Sequence, residues 1–197
     1  MLASAALRKI KSQSSHLVIR DLENVTDWSI EISTDASFNN LNDGVDSTAA
    51  GVILIRNNYN TAVPVLWYSN KIARVCGPNC VDQLLRQKQF ISGRHGAGVY
   101  VKQVIEELCG LPENTILVHA LTDYKGAYQA IHSTVAVEDR QLRAEVVRVK
   151  DFIIRGEVNT INWIPVKKML ADDLTKRTAS RYNLLRVFQK EDRVHNE

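Results

Sequence analysis

The stretch Ile30-Glu31-Ile32-Ser33-Thr34-Asp35-Ala36-Ser37 decides the fold. Ile30 and Ile32 point one way and Glu31 and Ser33 the other, the period of a half-buried strand. Asp35 continues that alternation, so a carboxylate stands at or near the strand's end. Desolvated without a partner, it would cost several kcal/mol. A metal ion, a lysine or arginine, or a set of backbone N–H groups would each satisfy it.

Outward from this strand, the first half of the chain reads as an antiparallel meander. Residues 28–36 are the first strand, and 39–46, rich in Asn, Asp and Gly, form a turn. Residues 48–56 are a second strand around the apolar run Val52-Ile53-Leu54-Ile55. Residues 57–60 make a hairpin loop, and 62–68 a third strand in which Pro64 signals an edge or a strand start. A segment of helical character follows, with apolar positions Leu84, Leu85, Val99, Val101, Val104, Ile105 and Leu108. It is interrupted at Ser92-Gly93-Arg94-His95-Gly96-Ala97-Gly98, where three glycines predict a kink or break. That interruption reads as a surface loop, with a phosphate contact through Arg94 and His95 as the functional alternative.

In the second half, strands and helices alternate. Residues 115–121 form a short strand running into Thr122-Asp123, and residues 124–132 a helix. Residues 139–155 form the clearest helix, with Leu142, Val146, Val149 and Ile153 at helical spacing and Gly156 to stop it. Residues 159–164 are a last strand closed by Pro165. A short helix over 169–176 carries Asp172 and Asp173, and residues 181–190 form a closing helix. The expected fold is α/β, a mixed sheet with helices packed on it.

With 197 residues, 45% of them hydrophobic, the chain can bury the core of one ordinary domain and is not a disordered tail. A net charge of +3 is too small to identify a nucleic-acid binder, although a local basic surface could hold phosphates. No apolar run approaches the roughly 18 residues of a membrane span, so no membrane partner is expected. Three cysteines make no disulfide framework. Cys76, Cys80, His95 and Cys109 can be drawn as a zinc site, but their spacing matches no standard pattern and ordinary thiols are the reading. The expected division is a basic leader over 1–24, one domain over 25–190 and a polar tail over 191–197. The leader carries Arg8, Lys9, Lys11 and Arg20 with no acid among its first twenty residues. That composition suits a mitochondrial transit segment and equally a short basic helix leading into the domain.

Asp35, Asp123 and Asp172 each lie at a strand end or in the helix just after one. Converging carboxylates raise one another's pKa, and a divalent cation is the usual relief. Hard oxygen ligands without His or Cys favour Mg²⁺ or Mn²⁺ over zinc, and two such ions about 4 Å apart serve phosphodiester hydrolysis. Against this stands a plainer reading, in which Asp123 caps the following helix and Asp172 is solvated.

Six motifs then occur in a telling order: Ser33-Thr34-Asp35-Ala36-Ser37-Phe38, Leu66-Trp67-Tyr68-Ser69-Asn70-Lys71, Leu121-Thr122-Asp123, His132-Ser133-Thr134, Trp163-Ile164-Pro165 and Leu170-Ala171-Asp172-Asp173-Leu174-Thr175-Lys176. Together they resemble the ribonuclease H domain at the end of the polymerase polyprotein of copia-type (Ty1-type) LTR retrotransposons. The likeness runs over residues 3–188, and residues 2–11 look like the linker helix from the reverse transcriptase domain. It implies a ribonuclease H-like, five-stranded mixed sheet flanked by helices. It also implies an endonuclease that cuts the RNA strand of RNA–DNA hybrids with two Mg²⁺ or Mn²⁺ ions on four carboxylates. Three of these carry over as catalytic and metal-holding residues, namely Asp35, Asp123 and Asp172, with Asp173 the lesser candidate.

The fourth does not. The family's glutamate early in the first long helix falls at Gln83 or Gln87 according to the register chosen, and both are amides. At an effective dielectric of 20, one charge at 4 Å is worth about 4 kcal/mol per ion charge before desolvation. The substitution therefore predicts weakened or lost hydrolysis. A domesticated, non-catalytic module in a larger assembly, such as an organellar ribonucleoprotein, is the alternative. Lys71, Arg74 and Arg94 are candidates for contacts to the backbone of a hybrid or RNA.

Overall fold

The computed structural model describes residues 22, 24–37, 47–59, 61–72, 96–135, 137–138, 140–175 and 182–189. Residues 1–21, Arg74, Cys76, Cys80, Gln83, Gln87, Arg94, His95 and the tail 191–197 lie outside the described residues, as do the side chains of Lys71 and Leu142.

Five strands form one sheet: β1 (Ser29–Ser37), β2 (Ser47–Arg56), β3 (Ala62–Ile72), β4 (Leu117–Thr122) and β5 (Thr160–Trp163), in the spatial order β3-β2-β1-β4-β5. The β1–β2 and β2–β3 pairs are antiparallel; β1–β4 and β4–β5 are parallel. The meander is thus extended on its β1 side by two strands that return through helical crossovers, giving the expected mixed sheet. Pro64 sits on the edge strand β3, beside a register shift between Ile53 and Leu54, where its missing N–H costs no interior ladder bond.

Each face of the sheet buries its own core. Ile30, Ile32, Ile53, Val118, Ala120 and Ile161 face α1 (Ala97–Leu108), α2 (Lys125–His132) and α3 (Arg140–Ile154), which contribute Ala127, Ile131, Val146, Val149 and Phe152. Ala50, Val52 and Leu54 face α4 (Asp172–Thr175) and α5 (Tyr182–Gln189), through Met169, Leu170, Leu174, Leu184, Val187 and Phe188. The alternation of β1 and β2 is what lets one sheet serve two cores. Leu22 packs with Ile55 and Val63, and its carbonyl accepts a 3.2 Å bond from the Trp28 indole.

Two expectations are corrected. The glycine-rich interruption does not extend through Gly98, which lies inside α1. A Cβ there would stand 2.1 Å from Cδ1 of the fully buried Ile32, so this glycine permits close packing of helix on strand. The helix expected over 169–176 shrinks to Asp172–Thr175, preceded by a 3-10 turn at Val166–Lys168. Met169, Leu170 and Ala171 are all buried, and three consecutive residues cannot share one helix face, so the chain drops onto the sheet before it winds. Helix α3 ends as expected: Gly156 has φ +70°, its N–H donates to the Ile153 carbonyl, and the Glu157 N–H to that of Phe152.

Candidate active site at the carboxylate end of the sheet

Ladder register directs two of the three aspartates to the same end of the sheet. Ser33 of β1 lies opposite Leu121 of β4, and the two parallel chains each run two residues further, to Asp35 and to Asp123. Neighbouring strands lie about 4.8 Å apart, so the two residues share one end of the sheet. Asp35 is 7% exposed. Asp123 is half-buried, and its carbonyl accepts a 3.0 Å bond from the indole N–H of Trp163. Asp123 does not cap α2: the N-cap residue is Tyr124, with no side-chain cap bond, and the Tyr124 N–H donates instead to Thr122 Oγ1 at 3.1 Å.

The third aspartate arrives on α4. Asp172 is half-buried at the start of that helix. One turn on, the fully buried hydroxyl of Thr175 donates to Asp35 Oδ2, and the same oxygen lies 3.2 Å from the Asp172 carbonyl. Thr175 therefore ties the turn that carries Asp172 to the strand that carries Asp35. The Ser69 hydroxyl adds a 3.1 Å bond to the Leu174 carbonyl, anchoring the same helix to β3. Asp173 has a different task. Its buried Oδ2 accepts the Leu184 N–H at 3.0 Å, satisfying one of the free donors in the first turn of α5.

The donor chemistry of Asp35, Asp123 and Asp172 suits a hard divalent cation. The arrangement does not complete such a site: among the described residues no three Asp, Glu, His or Cys side chains converge to hold a metal ion, and Thr175 occupies one Asp35 oxygen. The backbone of Lys71 lies near the end of β3, opposite Thr48. Cys109 is free and exposed.

Sequence reasoning missed Thr175. Nothing in Leu174-Thr175-Lys176 marks a hydroxyl aimed at a carboxylate 140 residues away. It also missed a polar row four residues back on the same face. Arg56 pairs with Glu31: its Nη2 donates to Oε1 at 3.2 Å, and its Nε lies 2.7 Å from Oε2. Glu31 stands opposite His119, whose Nδ1 lies 2.8 Å from Thr160 Oγ1. Burial pushes the His119 ring below the usual imidazole range, and the Glu31 carboxylate opposes that with a smaller effect.

Known structures share this architecture. LC11-RNase H1, isolated from compost by a metagenomic approach, aligns at 15% identity with a TM-score of 0.50, over 75% of this chain and 92% of its own. The chain has the ribonuclease H fold. LC11-RNase H1 has also been solved in complex with an RNA/DNA hybrid. RNase H1 from the halophilic archaeon Halobacterium salinarum aligns at 15% identity over 75% of this chain and 94% of its own, with a TM-score of 0.46. The prototype foamy virus protease–reverse transcriptase aligns at 13% identity, TM-score 0.36, over 93% of this chain and 23% of its own. No family model and no curated protein matches the sequence. Identity at this level speaks for the ribonuclease H fold alone, and the chemistry rests on the residues.

Proposed function

We propose that this chain is a ribonuclease H-fold domain of retrotransposon origin that binds RNA–DNA hybrids and whose Mg²⁺- or Mn²⁺-dependent cleavage of the RNA strand is weak or lost. The observation that supports this reading is the buried Asp35 carboxylate at the end of β1, held by the Thr175 hydroxyl of α4, with Asp123 two residues past the last β1–β4 pair. Asp35, Asp123 and Asp172 are the candidates to hold a divalent cation, and the incompleteness of that set among the described residues agrees with weak or lost cleavage. Thr175 orients the Asp35 carboxylate. The amides at Gln83 and Gln87, one of which takes the place of the family's glutamate, favour weak activity. They also favour the second reading, a non-catalytic module in a larger assembly such as an organellar ribonucleoprotein, or one attached to a reverse transcriptase domain. The basic residues Arg8, Lys9 and Lys11 agree with a mitochondrial leader or with a linker helix.

The test is a labelled RNA–DNA hybrid offered with Mg²⁺ and with Mn²⁺, scored for both binding and cleavage. Binding with slow cleavage that Gln83→Glu or Gln87→Glu accelerates supports the weakened enzyme. Binding without cleavage in either metal, for the natural chain and both variants, leaves the module. Failure to bind the hybrid at all removes both.

A further inference from the structure

We propose that Trp163, with Lys125 over its ring and Lys167 exposed in the following turn, is a stacking platform for a single-stranded nucleic-acid segment beside the carboxylate end of the sheet. Trp163 closes β5, an edge strand, and stays 41% exposed. A lone exposed apolar side chain would mean little. This ring, however, is fixed in place: its N–H donates to the Asp123 carbonyl at 3.0 Å, so its plane is set relative to a candidate site residue. The Lys125 ammonium lies 5.9 Å from the ring centroid, at the outer limit of a cation–π contact and easily exchanged for a phosphate. Four residues beyond Trp163, Lys167 is exposed in the turn Val166–Lys168, which Asn183 of α5 holds by donating to the Lys167 carbonyl at 2.6 Å. Neither lysine makes an ion pair with a described residue.

A planar ring held with exposed surface, with one lysine over it and another exposed four residues on, matches an unpaired base with its flanking phosphates. Every base has a π-face, so such a platform is tolerant of sequence. An acidic peptide would use the lysines but would have no need of the ring. Lying against Asp123, the platform would receive the unpaired strand that leaves a hybrid at the site. In that respect it rests on the function proposed above, although single-strand binding is measurable without it.

The experiment is fluorescence anisotropy with a labelled oligouridine, a blunt RNA–DNA hybrid, and the same hybrid carrying a single-stranded RNA tail. Trp163→Ala should weaken oligouridine binding about five- to hundredfold. Trp163→Phe keeps a ring and loses the bond to Asp123, and should recover most of the affinity. The Lys125→Ala/Lys167→Ala pair should lower the log–log salt slope by about 1.4. Unchanged affinity in Trp163→Ala, or Trp163→Phe as weak as Trp163→Ala, overturns the platform. A blunt hybrid that binds while the tail adds nothing overturns the platform and spares the proposed function. Oligouridine bound through Trp163 with the blunt hybrid ignored does the reverse.

Discussion

Two rows of residues cross the same face of the same strands, four positions apart, and they are built in opposite ways. The first row, Arg56, Glu31, His119 and Thr160, pairs unlike groups: guanidinium on carboxylate, carboxylate opposite imidazole, imidazole on hydroxyl. The second holds a buried acid, Asp35, against the Thr175 hydroxyl of α4, with Asp123 just past the end of the neighbouring strand. A sheet that needed only stability would repeat the first row. A buried carboxylate at a strand end, with a second acid on the neighbouring chain, is not what stability alone calls for, which is why the second row is the candidate site and the first its scaffold.

The contrast breaks most sharply at Asp35. Asp35→Asn removes the buried charge while keeping an acceptor for Thr175. Any metal-dependent hybrid cleavage should fall at least about hundredfold, with no drop in the urea midpoint. A lower midpoint with cleavage intact would assign Asp35 to the scaffold. In the paired row the expectation inverts. Arg56→Met leaves Glu31 uncompensated and should cost about 3 kcal/mol of stability, most of it regained in the Glu31→Leu/Arg56→Met double variant. Urea titration of the three proteins measures this, and a double variant no better than the single refutes a paired scaffold.

Thr175→Val removes one donor from the buried Asp35 carboxylate and should cost about 2 kcal/mol, with Thr175→Ser close to the natural chain. Equal stability of the Val and Ser variants would show that the hydroxyl does not hold Asp35. The smallest effect is the pH response of His119. Its folded pKa is lowered, so the unfolded chain takes up the proton first as pH falls. Its contribution to stability is full above about pH 6.5 and is lost below that, until the folded ring also protonates. His119→Gln should flatten that part of the stability–pH curve, and an unchanged curve would remove His119 from the account.

Much of this was legible in the sequence because it is local. Alternation in Ile30–Asp35 sets the strand and its two faces, Gly156 stops α3, and Pro64 marks an edge. Gly98 misled, because a glycine that admits a neighbouring isoleucine looks in sequence like one that breaks a helix. Asp172 and Asp173 carry the same side chain one residue apart, and only packing singles out Asp173 as the carboxylate that caps α5.

The sequence by itself determined where strands begin, which way their side chains alternate, and that acids stand at their ends, since those follow from neighbours a few residues away. Only the tertiary structure decided that β1 and β4 run in parallel to the same end of the sheet, that the Thr175 hydroxyl reaches Asp35, and that Trp163 is pinned to the Asp123 carbonyl. Those facts depend on the register of a parallel ladder and on a helix docking across the sheet. Both are contacts between distant segments, and no local pattern encodes them.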